Sequence, residues 1–251
     1  MRKAVFLDRD GTLIRNHHYG CDPNSIQLMD GVVEGLKALK EQNYLLVVVT
    51  NQSGVARGYF TEAQLEVFHR RLNDLLCQRG VEISAFYYCP HHPDGVIPQY
   101  SRECDCRKPR PGMVLKACFD LAIDPTQSWL IGDILDDVEA GKRAGCRAVL
   151  LDLGTEGKPE RPEREPEYIA MGFLDAARFL LRQQAPTDEA DHTAPPHPYF
   201  RTSGNNDSEG IDSRTSGNDR VTSGLPRTKN GVAEPQERCL AEGIGGKSTD
   251  G

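Results

Sequence analysis

Between residues 4 and 181 a short, almost wholly apolar run is followed again and again by a stretch of helical spacing, and that alternation limits the fold more than any other feature. The apolar runs cover residues 4–7, 44–49, 83–88, 128–131 and 146–151. Strands without a polar face must be covered on both sides, as in a parallel sheet flanked by helices. The intervening stretches supply those helices. Val32, Val33, Leu36 and Leu39 form one apolar stripe behind Asp30 as its predicted N-cap. Leu65, Phe68, Leu72 and Leu75 form another behind the capping-box pattern Thr61-Glu62-Ala63-Gln64, and Gly80 stops it. Pro111 opens a third helix through Val114, Leu115, Cys118 and Leu121, a short helix ends at Ala144, and a last one covers 173–181. Right-handed crossovers between neighbouring strands turn this order into an α/β protein with a doubly wound parallel sheet.

In such a sheet ligands bind beyond the carboxyl ends of the strands, so the residues that follow each run matter most. The first run ends in Asp8-Arg9-Asp10-Gly11-Thr12, the second in Thr50-Asn51-Gln52-Ser53-Gly54, and the fourth in Gly132-Asp133-Ile134-Leu135-Asp136-Asp137. A lone Asp-x-Asp is common in surface turns. Combined with Thr50, Asp133 and Lys108, which arrives on a long loop at 89–110, it supplies the parts of a phosphoryl-transfer site. Those parts are a carboxylate nucleophile, an acid/base, a hydroxyl and an ammonium for the phosphoryl oxygens, and oxygen ligands for Mg²⁺. Asp136 and Asp137 equally suit the first turn of a helix.

A loop of that length without a period of its own needs a reason. It carries Cys89-Pro90-His91 and Cys104-Asp105-Cys106. Three thiols and an imidazole in two close pairs form a Cys₃His set suited to a closed, tetrahedral Zn²⁺ site, with His92 as an alternative to His91. Such a metal holds Arg107 and Lys108, which follow Cys106 directly, over the sheet edge.

The ordered set Asp8-Arg9-Asp10-Gly11-Thr12, Thr50, Lys108 and Gly132-Asp133 with Asp136-Asp137 resembles the four motifs of the haloacid dehalogenase superfamily of phosphohydrolases. That resemblance implies that Asp8 attacks phosphorus and becomes an aspartyl phosphate. Asp10 then protonates the leaving oxygen and later takes a proton from water, while Thr50 and Lys108 hold the phosphoryl group. It also implies Mg²⁺ on Asp8, Asp133 and Asp10, the last through its backbone carbonyl, with Asp137 orienting the ligands. An intact set of this kind leaves little room for a non-catalytic zinc-binding module.

The zinc loop, together with Asn51-Gln52-Ser53-Gly54-Val55-Ala56-Arg57-Gly58, resembles one branch in particular, as far as about Leu181. This is the branch of D-glycero-D-manno-heptose 1,7-bisphosphate 7-phosphatases and related histidinol-phosphatases. In it the zinc loop replaces a separate cap domain, so the resemblance implies a capless fold. It further implies that Arg107 recognises substrate and that Asn16, Tyr19, Asn51, Gln52 and Ser53 sit in substrate loops. Two places depart from the branch: Ile134 stands where the heptose enzymes commonly carry a basic residue, and Ile14-Arg15-Asn16-His17-His18 differs from their usual loop. The implied reaction is removal of the 7-phosphate in the synthesis of nucleotide-activated heptose for lipopolysaccharide core. Histidinol phosphate hydrolysis is the second reading, and polynucleotide 3′-phosphatase activity the third.

Composition places the boundary of the folded part. Aromatic and apolar residues are frequent as far as Leu181; beyond it Pro, Gly, Ser, Thr, Asn and charge dominate, and Arg-Thr-Ser-Gly-Asn recurs at 201–205 and 214–218. The expectation is a phosphatase domain over 1–183 and a disordered low-complexity tail over 184–251. A formal net charge of −7 without a Lys/Arg cluster argues against nucleic acid or an anionic membrane as partner. No apolar run approaches the ~20 residues of a membrane span, and the amino terminus enters a strand without a signal-peptide pattern. A cytoplasmic monomer acting on a small phosphorylated sugar or metabolite is therefore expected. Cys77, Cys118 and Cys146 lie in periodic apolar contexts and read as small buried hydrophobes.

Overall fold

The computed structural model describes residues 1–16 and 18–183, so His17 and the tail expected over 184–251 lie outside the described residues. Among the described residues six parallel strands form one sheet in the order β3-β2-β1-β4-β5-β6. They are β1 (Ala4–Leu7), β2 (Leu45–Asn51), β3 (Ala85–Cys89), β4 (Trp129–Gly132), β5 (Arg147–Leu151) and β6 (Tyr168–Ala170). The helices are α1 (Val32–Glu41), α2 (Glu62–Cys77), α3 (Gly112–Leu121), α4 (Leu135–Arg143) and α5 (Phe173–Arg182). Phe6 of β1 faces Val47 of β2 on one side and Leu130 of β4 on the other. The chain thus leaves β1 in one direction and returns on its far side, which opens a crevice at the carboxyl end of β1.

The two-residue period of a strand explains the two layers of helices. Val5 and Leu7 join Leu46 and Val48 in a core shared with Leu36, Leu39, Phe68, Leu72, Phe173 and Leu180 of α1, α2 and α5. Ala4 and Phe6 point the other way, with Val47 and Val49, onto Met113, Val114 and Ala117 of α3. All four β1 side chains are fully buried, so this strand has no tolerance for a polar residue.

The capping box of α2 forms as its sequence predicts. Thr61 Oγ1 accepts from the Gln64 amide at 3.2 Å, and Gln64 Oε1 accepts from the Thr61 amide at 2.8 Å. Other local expectations are corrected. Gly31, not Asp30, is the N-cap of α1, because the chain enters at φ 75° and leaves Asp30 exposed near Arg15. Leu115 is 47% exposed, since α3 meets the sheet through Met113, Val114 and Ala117, about one residue round the helix from the expected face. The three-residue β6 was not anticipated: it is too short to show a period, and it pairs with β5 only because the chain returns there. Cys146 is buried and Cys118 half-buried, both free thiols, and Cys77 is half-buried rather than fully buried. No helix among the described residues is long and apolar enough to cross a membrane.

Candidate active site and metal centre

Asp8 is the first residue beyond β1, and its amide donates to the Ile131 carbonyl of β4 at 2.9 Å, so the sheet ladder itself aims the side chain into the crevice. Gly11 turns the chain away at φ 84°, where a Cβ would lie 2.1 Å from Asp133 Oδ2. Only glycine lets the Asp8 turn and the end of β4 approach so closely. Gly132 serves the same end: a Cβ there would lie 2.3 Å from the Asp137 carboxylate.

Lys108 comes from the long loop and is 2% exposed. Its ammonium donates to Asp8 Oδ1 at 2.5 Å and to the Val49 carbonyl at 2.9 Å, and pairs with Asp137 Oδ1 at 2.5 Å. Asn51, at the end of β2, holds the loop in register: its side-chain amide donates to the Lys108 carbonyl and its Oδ1 accepts from the Lys108 amide, both at 3.0 Å. Burial by itself lowers the Lys108 pKa, but the Asp137 and Asp8 charges outweigh it and hold the ammonium above its usual range. Asp137 is fully buried in the first turn of α4 and also accepts from the Ile134 amide at 3.3 Å. It therefore serves both as a helix-start acid and as the anchor of Lys108.

Oxygens of Asp8, Asp133 and Asp137 lie within 4.8 Å of one another. Burial, opposed by Lys108, pushes Asp8 well above the ordinary carboxylate range, and burial with the Asp137 charge pushes Asp133 up to about 7. Three buried carboxylates thus face one ammonium, an excess of negative charge that suits a divalent cation with oxygen preference. The Asp10 carboxylate is not in this group. It accepts from Arg9 Nη2 at 2.8 Å and from Gln52 Nε2 at 2.8 Å.

A cleft of about 350 Å³ opens over these residues. Asn16, Tyr19, Asn51, Gln52, Ser53 and Arg107 all line it, together with Asp8, Asp10, Thr50, Lys108 and Asp133. The expected substrate residues therefore converge on one cleft, although Gln52 already donates to Thr50 Oγ1 at 2.9 Å as well as to Asp10. Arg107 Nη1 is buried with no hydrogen-bond partner among the described residues, a donor available to an anion. Ile134 also faces the cleft, apolar where the branch commonly has a cation.

Beside the cleft the loop closes on itself through Cys89, His91, Cys104 and Cys106. The three Sγ atoms are 3.2 to 3.5 Å apart, and His91 Nδ1 lies 3.4 Å from Cys106 Sγ and 3.8 Å from Cys89 Sγ. A tetrahedral Zn²⁺ with bonds of about 2.3 Å holds sulfurs about 3.8 Å apart, so the set fits after a small expansion. The hydrogen bond from Cys89 draws the Cys104 thiol down to about 4, while the hydrogen bonds to Cys104 and Cys106 push the Cys89 thiol up. His92 is turned away towards Arg57 and Asp94, so His91 is the histidine that lies within the cluster.

Sequence reasoning missed Arg9 and His69. Arg9 is 1% exposed, spans Asp10 and Gln52, and meets His69 Nε2 of α2 at 3.2 Å. Arg9 stands inside the quoted motif, but nothing in the spacing links it to a histidine in α2. Glu139 was missed too: it is 1% exposed and binds Arg143, Arg161 and Arg164, while Arg164 also pairs with Asp136 at the cleft.

A family model described as HAD-hydrolase-like matches residues 105–176. The D-glycero-β-D-manno-heptose-1,7-bisphosphate 7-phosphatase of Pasteurella multocida is 43% identical over 182 residues, 72% of this chain and 97% of that one. The enzyme of the same name from Escherichia coli K12 is 41% identical over 190 residues, 73% of this chain and 96% of that one. Among solved structures, the D,D-heptose 1,7-bisphosphate phosphatase of B. bronchiseptica, complexed with magnesium and phosphate, superimposes with a TM-score of 0.62 at 30% identity. That match covers 72% of this chain and 99% of the other.

Proposed function

Because this chain belongs to the haloacid dehalogenase-like phosphatases, in the family of the heptose 1,7-bisphosphate 7-phosphatases, we propose that it removes the 7-phosphate from D-glycero-β-D-manno-heptose 1,7-bisphosphate, as a monomer. The observation that carries this reading is the Asp8 carboxylate at the carboxyl end of β1, paired with Lys108 and open to the cleft. An Asp8 oxygen attacks phosphorus, the bond to the sugar oxygen breaks, and Asp10 gives that oxygen a proton. Water then attacks the aspartyl phosphate while Asp10 takes its proton, and phosphate leaves with Asp8 restored. Thr50 and Lys108 hold the phosphoryl oxygens, and Asn51 and Asp137 keep Lys108 in place. Gln52 orients Thr50 and Asp10. Asn16, Tyr19, Ser53 and the free donor of Arg107 face the sugar and its second phosphate.

Asp8, Asp133 and the Asp10 carbonyl are the residues to hold Mg²⁺, with Asp137 behind them. When bound, the ion offsets the charge that accumulates on the phosphoryl oxygens. Cys89, His91, Cys104 and Cys106 would hold a Zn²⁺ that serves structure rather than chemistry. The formal net charge of −7 counts against a polynucleotide as substrate.

The test is phosphate release, with Mg²⁺, from the heptose bisphosphate anomers, histidinol phosphate and generic sugar phosphates, with Asp8→Asn as the control. The β-anomer should have the highest kcat/KM, and Asp8→Asn should lose turnover by more than about 10³-fold. Preference for histidinol phosphate would overturn the heptose reading; near-normal turnover by Asp8→Asn would overturn the covalent mechanism.

A further inference from the structure

Every edge of the Arg9 guanidinium is engaged in the interior. Nη2 donates to Asp10 Oδ2 at 2.8 Å, to Asp10 Oδ1 at 3.0 Å and to Gln52 Oε1 at 2.9 Å, while Nη1 meets His69 Nε2 at 3.2 Å. The guanidinium face lies 4.6 Å from the centre of the Phe68 ring. Arginine has donors only, so His69 Nε2 must be the acceptor and its proton must sit on Nδ1. The imidazole is itself fixed: it stacks on Phe86 at 4.9 Å and meets Phe68 edge-on at 6.5 Å. Burial and the Arg9 charge hold its pKa well below 6.5, so it stays the neutral acceptor at working pH.

Packing alone does not ask for a histidine here, since an apolar side chain fills the space between two phenylalanines as well. The acceptor does, because without it Nη1 of Arg9 is a buried donor with no partner. We propose that His69 is a positioning residue: by anchoring the far edge of Arg9 it fixes the Asp10 carboxylate in the orientation that delivers and collects protons in the cleft. This rests on the role given to Asp10 above. The Asp10 side chain keeps 28% of its surface exposed, so the clamp orients the acid without burying it.

The test separates orientation of Asp10 from packing by leaving group. The Gln amide oxygen reaches the place of Nε2, whereas that of Asn matches Nδ1 and stops short of Arg9. His69→Asn should lower kcat on the heptose bisphosphate, whose alkoxide needs a proton, by about 10- to 100-fold with KM within about twofold. The same variant should keep the pre-steady-state burst with p-nitrophenyl phosphate, whose phenolate leaves unprotonated, and His69→Gln should recover most of the loss. Arg9→Lys, whose single ammonium cannot span His69 and both Asp10 oxygens, should show the same split and serves if His69→Asn does not melt cooperatively. Equal kinetics of the Asn and Gln variants, or a burst that falls as far as the alkyl kcat, would overturn the proposal. Asp10→Asn distinguishes the layers: a leaving-group split there but not in His69→Asn overturns this inference alone, and no split in Asp10→Asn overturns the role of Asp10 and the inference with it.

Discussion

Lys108 shows how much a single side chain decides here. It is buried between two carboxylates, and the ion pairs are worth having only because both partners are already desolvated. Lys108→Met leaves Asp8 and Asp137 buried without a counter-charge, so it should cost about 3–5 kcal/mol of stability in denaturant unfolding, besides losing turnover. A variant as stable as the parent would show that the carboxylates find another cation. His69 sets a pH dependence of stability. Burial depresses its folded pKa well below 6.5, so the unfolded chain takes up this proton first as pH falls. The stability His69 contributes is present above about pH 6.5 and is lost as pH drops towards its folded pKa, with a slope of up to about 1.4 kcal/mol per pH unit. Denaturant unfolding between pH 7 and 5 should therefore show a shallower acid loss for His69→Gln than for the parent. Parallel curves would mean that this imidazole is solvated.

At the scale of elements, the segment between β3 and α3 has no helix or strand of its own, yet it places both Arg107 and Lys108 at the cleft. Asn51 holds one end through the Lys108 backbone, and the Tyr88 and Tyr100 hydroxyls both bond Glu62 at the start of α2. The cysteine cluster closes the remainder. Cys106→Ser should remove one zinc per chain and lower kcat/KM by about 10- to 100-fold, while turnover continues to require Mg²⁺. Metal analysis paired with kinetics checks this, and loss of zinc without loss of kcat/KM would break the link between loop and substrate. The cluster was legible because a Cys-Pro-His and a Cys-Asp-Cys stand out in the sequence, while the place of His91 rather than His92 in it was only a first choice. Adjacent histidines differ only in which way the backbone turns each ring, and Arg57 and Asp94 take His92.

At the scale of the molecule, the cleft and the cysteine cluster are both built, among the described residues, from the span expected to fold as the phosphatase domain. A chain ending after Gln183 should melt cooperatively and keep its kcat/KM within about twofold, because the segment removed is too polar to offset its own ordering entropy. Loss of the cooperative melt would put the domain boundary elsewhere.

The alternation of runs, the acids at strand ends and the Cys/His pairs were readable directly, since strand period, helix period and ligand type are local properties. They determined the doubly wound sheet and singled out Asp8, Thr50, Lys108 and Asp133. What tertiary structure alone decided is which atoms meet: Arg9 with His69 across β1 and α2, Lys108 with Asp137, Glu139 with three arginines, and β6 against β5. Apart from the i,i+4 pair Glu139–Arg143, each of these joins residues far apart in the chain through buried charge or an edge hydrogen bond. A linear pattern specifies the partners' types, and only packing brings their atoms within reach.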